Sequence, residues 1–209
     1  MRKVIRAVVP AGVRRVVSEL RSLTPPQRRH YWRSLLEPAS RSREARLPAG
    51  LTAGSRIIMV CFGNIFRSPM AEALLIREFA RRGITTHRVS SAGLSARTGR
   101  AAHDNAIATA QSMGVSLNAH RARLLTQEIA DDSDLIVVMD RMNLAILAER
   151  FPEARARAVL LGAFDPHARR LGAVIADPYG KPLEDVTACY QRLERSVAAL
   201  ADRLTSASK

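Results

Sequence analysis

The segment from Cys61 to Ser68 combines groups that can bind and transfer phosphate. Cys61 is a candidate nucleophile, and Arg67 can clamp phosphate oxygens through two charge-assisted hydrogen bonds. The segment runs from an apolar stretch directly into a helix opened by Ser68-Pro69. Successive backbone N–H groups at a helix N-terminus form an anion cradle, and the same position favours the thiolate form of a cysteine. The segment therefore predicts phosphoryl transfer through a cysteinyl-phosphate intermediate.

The residues inside this segment suit a tight loop. Gly63 and Asn64 are residue types that tolerate unusual backbone angles. The alternative interpretation is a buried structural cysteine at a strand end, beside an arginine on a solvated helix turn. Cys61, Arg67 and a Pro-started helix in this order favour the phosphate loop.

After residue 55 the chain alternates strand-like and helical stretches, which predicts a parallel sheet with helices on both faces. We expect a three-layer, doubly wound α/β sandwich with a central four-stranded parallel sheet and the phosphate-binding loop after its first strand. The predicted strands are 57–60, 87–90, 135–139 and 158–161. The predicted helices are 68–83 with Ser68 as N-cap, 101–113, one through Leu144 and Leu147, and 183–204.

The N-terminal part differs from the rest in charge. Of the formal charge of +14, residues 1–56 contribute +10, with thirteen Lys and Arg against three Glu; the remaining residues contribute only +4. We predict a basic, partly helical N-terminal extension at 1–54 and a catalytic domain at 55–209. Val13, Val16, Val17 and Leu20 have helical spacing, Pro25-Pro26 interrupts it, and a second amphipathic stretch carries Tyr31, Trp32, Leu35 and Leu36.

The segment 60–73, Val-Cys-Phe-Gly-Asn-Ile-Phe-Arg-Ser-Pro-Met-Ala-Glu-Ala, resembles the active-site motif of the low-molecular-weight protein tyrosine phosphatases. The resemblance covers roughly residues 56–204. Further motifs follow in the order found in that family: Ser91-Ala92-Gly93, then His120, Ala122 and Arg123, then Met139-Asp140, and finally Asp177-Pro178-Tyr179.

The resemblance implies a role for each matching residue. Cys61 attacks phosphorus, and Arg67 with the loop amides of 62–67 holds the oxygens. Asp177 protonates the leaving oxygen and then activates water. Ser68 stabilises the Cys61 sulfur as a leaving group. The implied substrate-binding residues are Phe62, Gly63, Asn64, Ile65, Phe66, Ser68 and Tyr179, and Ser91 and His120 support the loop together with Asn64; no metal or other cofactor is expected.

The sequence departs from the family pattern at the loop and at the rim. Phe66 stands where the family usually has a second cysteine, so a protective disulfide with Cys61 is not expected. Arg97 lies near a position that is often aromatic in the family, and Gly180 follows Tyr179 where many members have another aromatic. A less aromatic rim predicts weaker stacking on a phosphotyrosine ring. Arg97 would instead favour acidic peptides or a sugar phosphate.

Two alternatives share this fold, and a third comes from the charge. An arsenate reductase needs further cysteines, whereas Cys189 is the only other one and has the spacing of a core residue. A catalytically idle phosphate-binding module would act through its basic arm, but it needs no Asp177. A nucleic-acid-binding protein predicts salt-dependent binding that is lost without residues 1–54.

Composition and resemblance also suggest the setting and the partners. Two cysteines, with no cysteine framework, favour a reducing cytoplasm. No apolar run approaches the length of a transmembrane segment. The resemblance implies a phosphotyrosine protein as substrate, with a bacterial tyrosine kinase as one candidate. The basic arm is expected either to pack on the domain or to contact an anionic surface.

Overall fold

The computed structural model of the protein describes residues 11–36, 46–168 and 173–207. Its sheet has four strands, β1 (Arg56–Cys61), β2 (Arg88–Gly93), β3 (Leu135–Val138) and β4 (Ala158–Leu160). All four are parallel, in the order β2-β1-β3-β4. The predicted four-stranded parallel sheet is confirmed. The strand order reverses at β1, so the loop that follows β1 lies at the switch point where ligands bind in such sheets.

Seven α-helices occur in the described residues. Four of them correspond to the helices predicted after residue 55, and the short helix Gln127–Asp131 and two 3₁₀ segments were not predicted. The α-helices are α1 (Ala11–Ser22), α2 (Pro25–Leu36), α3 (Arg67–Arg81), α4 (Asp104–Ser112), α5 (Gln127–Asp131), α6 (Arg141–Arg150) and α7 (Leu183–Ala207), and the 3₁₀ segments are Pro152–Arg157 and Leu161–Phe164.

The alternation of side chains along β1 feeds two separate cores. Ile57 and Met59 pack with α3, α4 and α7 on one face of the sheet. Ile58 and Val60 pack with α5 and α6 on the other face. Because side chains point to opposite faces at successive strand positions, a strand covered by helices on both sides must be apolar throughout. This arrangement explains the continuous apolar run before Cys61 and confirms the three-layer architecture.

Helix α2 packs on the outer side of α6, and Val16 and Leu20 of α1 pack against the same apolar core. Leu23 and Tyr31 are buried in the core that α6 shares with the sheet. Gln27 donates a hydrogen bond to Glu149 at 2.5 Å, and the buried Arg141 donates one to the carbonyl oxygen of Ser34 at 2.5 Å. The Pro25-Pro26 pair, predicted as a break, separates the two helices and opens the second, a position that needs no proline N–H.

None of the helices in the described ranges is long and apolar enough to cross a membrane.

Candidate active site

The sulfur of Cys61 is held at the end of β1 by two polar contacts. The backbone N–H of Asn64 donates to Cys61 Sγ at 3.2 Å, and Ser68 Oγ lies 3.0 Å from the same sulfur. Asn64 has a left-handed backbone, with φ of 53°, a conformation that Asn adopts more readily than most residues. Gly63 does not have a positive φ, so only Asn64 uses the conformational freedom predicted for the pair.

Ser68 was predicted as the N-cap of α3, and that prediction is wrong. The N-cap is Phe66, and no side-chain hydrogen bond caps this helix within the described residues. Ser68 lies in the first turn, where its hydroxyl contacts Cys61 Sγ and accepts a hydrogen bond from Asn64 Nδ2 at 2.8 Å. The first N–H groups of an uncapped helix are suitable donors to an anion, while the serine hydroxyl is available to the sulfur.

The predicted support residues meet around the buried side chain of Asn64. Its Nδ2 also donates to Ser91 Oγ at 2.9 Å, and its backbone oxygen lies 2.8 Å from His120 Nε2. Its Oδ1 accepts from the backbone N–H of Arg123 at 2.9 Å. Arg123, which the sequence analysis gave as part of a motif but not as a support residue, also donates from Nε to Ser91 O at 2.6 Å. Each polar atom of the Asn64 side chain is satisfied, which fixes the loop shape.

Gly93, at the end of β2, lies directly against the phosphate loop. A Cβ at this position would lie 2.8 Å from Phe62 O and 2.9 Å from Asn64 N. These contacts are with backbone atoms, which cannot move aside without distorting the loop. The glycine of the Ser-Ala-Gly motif is therefore required for close approach between β2 and the loop.

Arg67 is buried at the base of the loop between two carboxylates. Its guanidinium donates to Asp140 Oδ2 at 2.5 Å, to Asp177 Oδ2 at 2.5 Å and to Ile175 O at 3.1 Å. Burial lowers the pKa of Arg67, but the charges of Asp140, Asp177 and Cys61 together raise it above its ordinary value. The guanidinium therefore stays charged. Its Nε is buried and has no hydrogen-bond partner among the described residues.

Asp140 is a functional residue that the sequence prediction did not select. Besides its pair with Arg67, it caps α6 by accepting a hydrogen bond from the backbone N–H of Asn143 at 2.7 Å. An Asp between an apolar strand and a helix is the signal that could have identified it. Its position at the carboxyl end of β3, next to β1, brings it to Arg67.

Asp177 reaches the site from the segment that precedes α7. The backbone N–H of Ile175 donates to Met139 O at 2.8 Å, which attaches this segment to the end of β3. Asp177 Oδ1 accepts from the backbone N–H of Tyr179 at 3.2 Å, while Oδ2 pairs with Arg67. The side chain is 40% exposed, so the carboxylate is open to solvent as well as to the loop.

An aromatic cluster forms beside Asp177. The rings of Phe66 and His103 stack with centroids 4.6 Å apart, and Tyr179 lies edge-on to both at 6.3 Å. Phe66 is buried and Tyr179 is exposed. His103, which was not predicted, also caps α4 by accepting from the backbone N–H of Asn105. His103 thus adds a ring beside Phe66 and Tyr179 that the sequence analysis did not include.

The other predicted loop residues divide by exposure. Phe62 is an exposed aromatic side chain at the start of the loop, whereas Ile65 packs in the core with Phe66. The Tyr190 hydroxyl donates to the backbone oxygen of Phe66 at 3.1 Å and so fixes the loop from α7. Ile65 and Phe66 thus hold the loop backbone against the core, whereas Phe62 is exposed to solvent.

Cys189 lies in the core on α7, as its spacing predicted. Both cysteines are free thiols. Burial raises the pKa of Cys189 to about 12, with smaller contributions from neighbouring charges. A thiol that stays protonated at neutral pH is a poor partner for disulfide exchange, which argues against the relay that an arsenate reductase needs.

Comparison with known proteins places this fold and site in a family. Residues 56–209 match the family model for low molecular weight phosphotyrosine protein phosphatases. The low molecular weight protein-tyrosine-phosphatase Wzb of Escherichia coli K12 is 37% identical over 152 residues, covering 73% of this chain and 97% of the relative. The crystal structure of the tyrosine phosphatase Wzb from Escherichia coli K30 has a TM-score of 0.65 at 32% identity, covering 72% of this chain and 98% of that one.

A second type of structural relative is also similar. The YwlE arginine phosphatase from Geobacillus stearothermophilus has a TM-score of 0.64 at 33% identity, covering 73% of this chain and 94% of that one. The chain belongs to the low-molecular-weight phosphotyrosine protein phosphatase family. It is a hydrolase, a protein-tyrosine-phosphatase similar to Wzb. Residues 1–55 lie outside the family match.

Proposed function

We propose that this enzyme hydrolyses phosphotyrosine in a protein substrate, with Cys61 as nucleophile, Arg67 as phosphate clamp and Asp177 as general acid and base. The observation that carries this assignment is the Arg67 side chain, which is buried in the loop and hydrogen-bonded to Asp177 at 2.5 Å. One guanidinium thereby connects the phosphate loop, which begins at Cys61, to Asp177, the proposed acid.

In the first step the Cys61 thiolate attacks phosphorus, the S–P bond forms and the bond from phosphorus to the tyrosine oxygen breaks. Asp177 gives its proton to that oxygen, so tyrosine leaves as the neutral phenol. The loop N–H groups and Arg67 stabilise the charge on the equatorial oxygens. The unpartnered Nε of Arg67 is a donor that a phosphate oxygen would satisfy.

In the second step the Asp177 carboxylate takes a proton from water, which attacks phosphorus and displaces the sulfur. The S–P bond breaks and phosphate is released. Ser68 Oγ and the backbone N–H of Asn64, at 3.0 and 3.2 Å from Cys61 Sγ, stabilise the thiolate that leaves. The same two contacts therefore support both the attack and the departure of the sulfur.

The pair between Arg67 and Asp177 suggests how substrate binding prepares the site. In the free enzyme the two side chains are paired at 2.5 Å. A phosphate group in the loop would compete for the same guanidinium, because Arg67 is the clamp for the phosphate oxygens. Phosphate binding would then separate the Asp177 carboxyl group from Arg67 and leave it available to the leaving oxygen.

The aromatic cluster supports an aryl phosphate as substrate. Tyr179 is exposed two residues after Asp177 and lies edge-on to Phe66 and His103. A phosphotyrosine ring bound beside Tyr179 would contact this aromatic cluster. A phosphotyrosine-bearing bacterial tyrosine kinase is the proposed partner, by likeness to Wzb. The two free thiols fit the reducing cytoplasm predicted from the sequence.

The substrate class is tested by comparing kcat/KM for a phosphotyrosine peptide, a phosphoarginine peptide of the same sequence and a sugar phosphate. The phosphoarginine peptide is included because a YwlE arginine phosphatase is among the structural relatives. We expect the phosphotyrosine peptide to be the best of the three. A higher kcat/KM for phosphoarginine or for the sugar phosphate would contradict the proposed substrate while leaving the Cys61 chemistry untouched.

A further inference from the structure

The two sides of helix α2 have opposite characters. Gln27, Tyr31 and Ser34 are buried against the domain. Arg28, Arg29, Trp32 and Arg33 are exposed on the other side. We call these four exposed residues the basic face. Trp32 follows Arg28 and Arg29 by four and three residues, so these three side chains share one side of the helix.

The exposure of Trp32 is not explained by packing within the protein. Its side chain is 48% exposed, although the same helix buries Tyr31 almost completely. Val17 on the neighbouring helix α1 is 41% exposed. Large apolar side chains left at the surface among basic residues are typical of helices that lie in a membrane interface, where tryptophan is enriched.

The charge of this region is strongly one-sided. Residues 1–36 contain nine Lys and Arg and a single carboxylate, Glu19. That carboxylate accepts a hydrogen bond from the Tyr31 hydroxyl at 2.5 Å, on the buried side of the helix pair. Three of the nine basic residues stand next to four branched apolar ones in the sequence before α1, Met-Arg-Lys-Val-Ile-Arg-Ala-Val-Val. Basic and apolar groups together match an anionic lipid surface.

We propose that the basic face of α2 is a docking surface for an anionic membrane. Lipid headgroups attract the arginines, and the interfacial region accommodates Trp32. A nucleic acid would attract the same charge but offers less reason for apolar side chains at the surface. Since α2 is attached to α6 through Arg141 and Glu149, docking would bring the whole enzyme to the membrane.

Trp32 is the only tryptophan in the chain, so its fluorescence reports directly on this surface. The full-length protein is mixed with vesicles of phosphatidylcholine alone or with added phosphatidylglycerol. We expect co-sedimentation with the anionic vesicles only, weaker at high salt, and a blue shift of the Trp32 emission. Arg29→Gln/Arg33→Gln should lower the partition coefficient roughly 30-fold, since each basic residue at an anionic surface contributes roughly fivefold.

The matched control removes the same charge elsewhere. Arg88 and Arg203 are exposed on other parts of the domain, so Arg88→Gln/Arg203→Gln should retain most of the binding. Both double variants should keep wild-type hydrolysis of p-nitrophenyl phosphate, which shows that they fold. The proposal is overturned if the protein does not bind anionic vesicles at low salt, or if the vesicles leave the Trp32 emission unchanged. Equal loss in the two double variants, or binding of duplex DNA without binding of vesicles, would also overturn it.

Discussion

The phosphate loop and the N-terminal helix pair are two regions of one molecule built on different principles. In the loop, residues 61–68, the side chain of Asn64 is fully hydrogen-bonded and Arg67 is buried between two carboxylates. The pair α1–α2 attaches to α6 by one packed face and leaves the opposite face of α2 to solvent. The loop is specified by local chemistry, whereas the helix pair is specified by the surface on which it packs.

This difference predicts different responses to substitution. A change in the loop removes a group that acts on phosphate and should alter catalysis by orders of magnitude. A change in the helix pair should alter stability or binding to an anionic surface and leave the hydrolysis rate intact. The following predictions test that separation, from the largest expected effect to the smallest.

Cys61→Ser should abolish turnover of p-nitrophenyl phosphate, because a serine hydroxyl is not ionised at neutral pH. Steady-state hydrolysis measures the effect. Cys189→Ala is the matched control, since it removes the second thiol from the core without touching the loop, and it should retain turnover. Loss of activity in Cys189→Ala with an unchanged melting temperature would mean that the second cysteine takes part in the chemistry.

Asp177→Ala should lower kcat for a phosphotyrosine peptide by about 10²–10⁴-fold, the usual contribution of a general acid. The loss should be smaller for p-nitrophenyl phosphate, whose leaving group needs less protonation. Asp185→Ala, a nearby exposed carboxylate on α7, is the control and should be close to wild type. An equal loss with both substrates would argue against proton donation by Asp177.

Gly93→Ala should lower kcat/KM by about tenfold or more, because the added Cβ meets backbone atoms of Phe62 and Asn64 at 2.8 and 2.9 Å and a misplaced catalytic group costs up to about 10² in rate. Thermal unfolding separates a distorted loop from a failed fold. Wild-type kcat/KM in a folded Gly93→Ala protein would show that β2 does not constrain the loop.

The two cysteines should differ in their reaction with iodoacetamide as the pH changes. The pKa of Cys189 is raised to about 12 by burial, so the thiol remains protonated and unreactive as the pH rises from 7 to 9. Cys61, at the end of β1 in the phosphate loop, should be alkylated and the enzyme inactivated, with inorganic phosphate protecting it. Mass spectrometry of the peptides identifies the site. Alkylation of Cys189 at a similar rate in the folded protein would contradict this account.

Tyr31→Phe should lower the free energy of unfolding by about 1 kcal/mol, because it removes the hydrogen bond to Glu19 and a hydrogen bond typically contributes about that amount. The kcat for p-nitrophenyl phosphate should not change. Denaturant unfolding and steady-state kinetics measure the two quantities. A loss of kcat without a loss of stability would show that the helix pair acts on catalysis, and the separation of the two regions would be wrong.

The sequence predicted the sheet and the phosphate loop because their signals are local, whereas the roles of Ser91, His120 and Asp177 came from the resemblance to the phosphatase family. Apolar strands covered on both faces are continuous in sequence, and a Cys, an Arg and a Pro-started helix stand within nine residues of each other. The misplaced N-cap at Ser68 follows from the same locality: Ser is a good cap by residue type, but here its hydroxyl is used by the sulfur of Cys61.

What the sequence did not predict depends on long-range contacts. Asp140 and His103 reach the site only through the packing of β3 and α4 against the loop. The packing of α1 and α2 on α6 likewise joins residues more than a hundred positions apart. The position of Asp140 between a strand and a helix marks it as a helix cap, but no spacing rule connects it to Arg67, and that pairing becomes visible only in the fold.

The most direct test of the proposed chemistry is a rapid acid quench during hydrolysis of a phosphotyrosine peptide, followed by peptide mass spectrometry. The account predicts a transient phosphoryl group on the peptide that contains Cys61 and none on the peptide that contains Cys189. The adduct should be absent in Cys61→Ser and should disappear as phosphate is released. Turnover without any phosphorylated Cys61, or with the phosphoryl group on another residue, would contradict it.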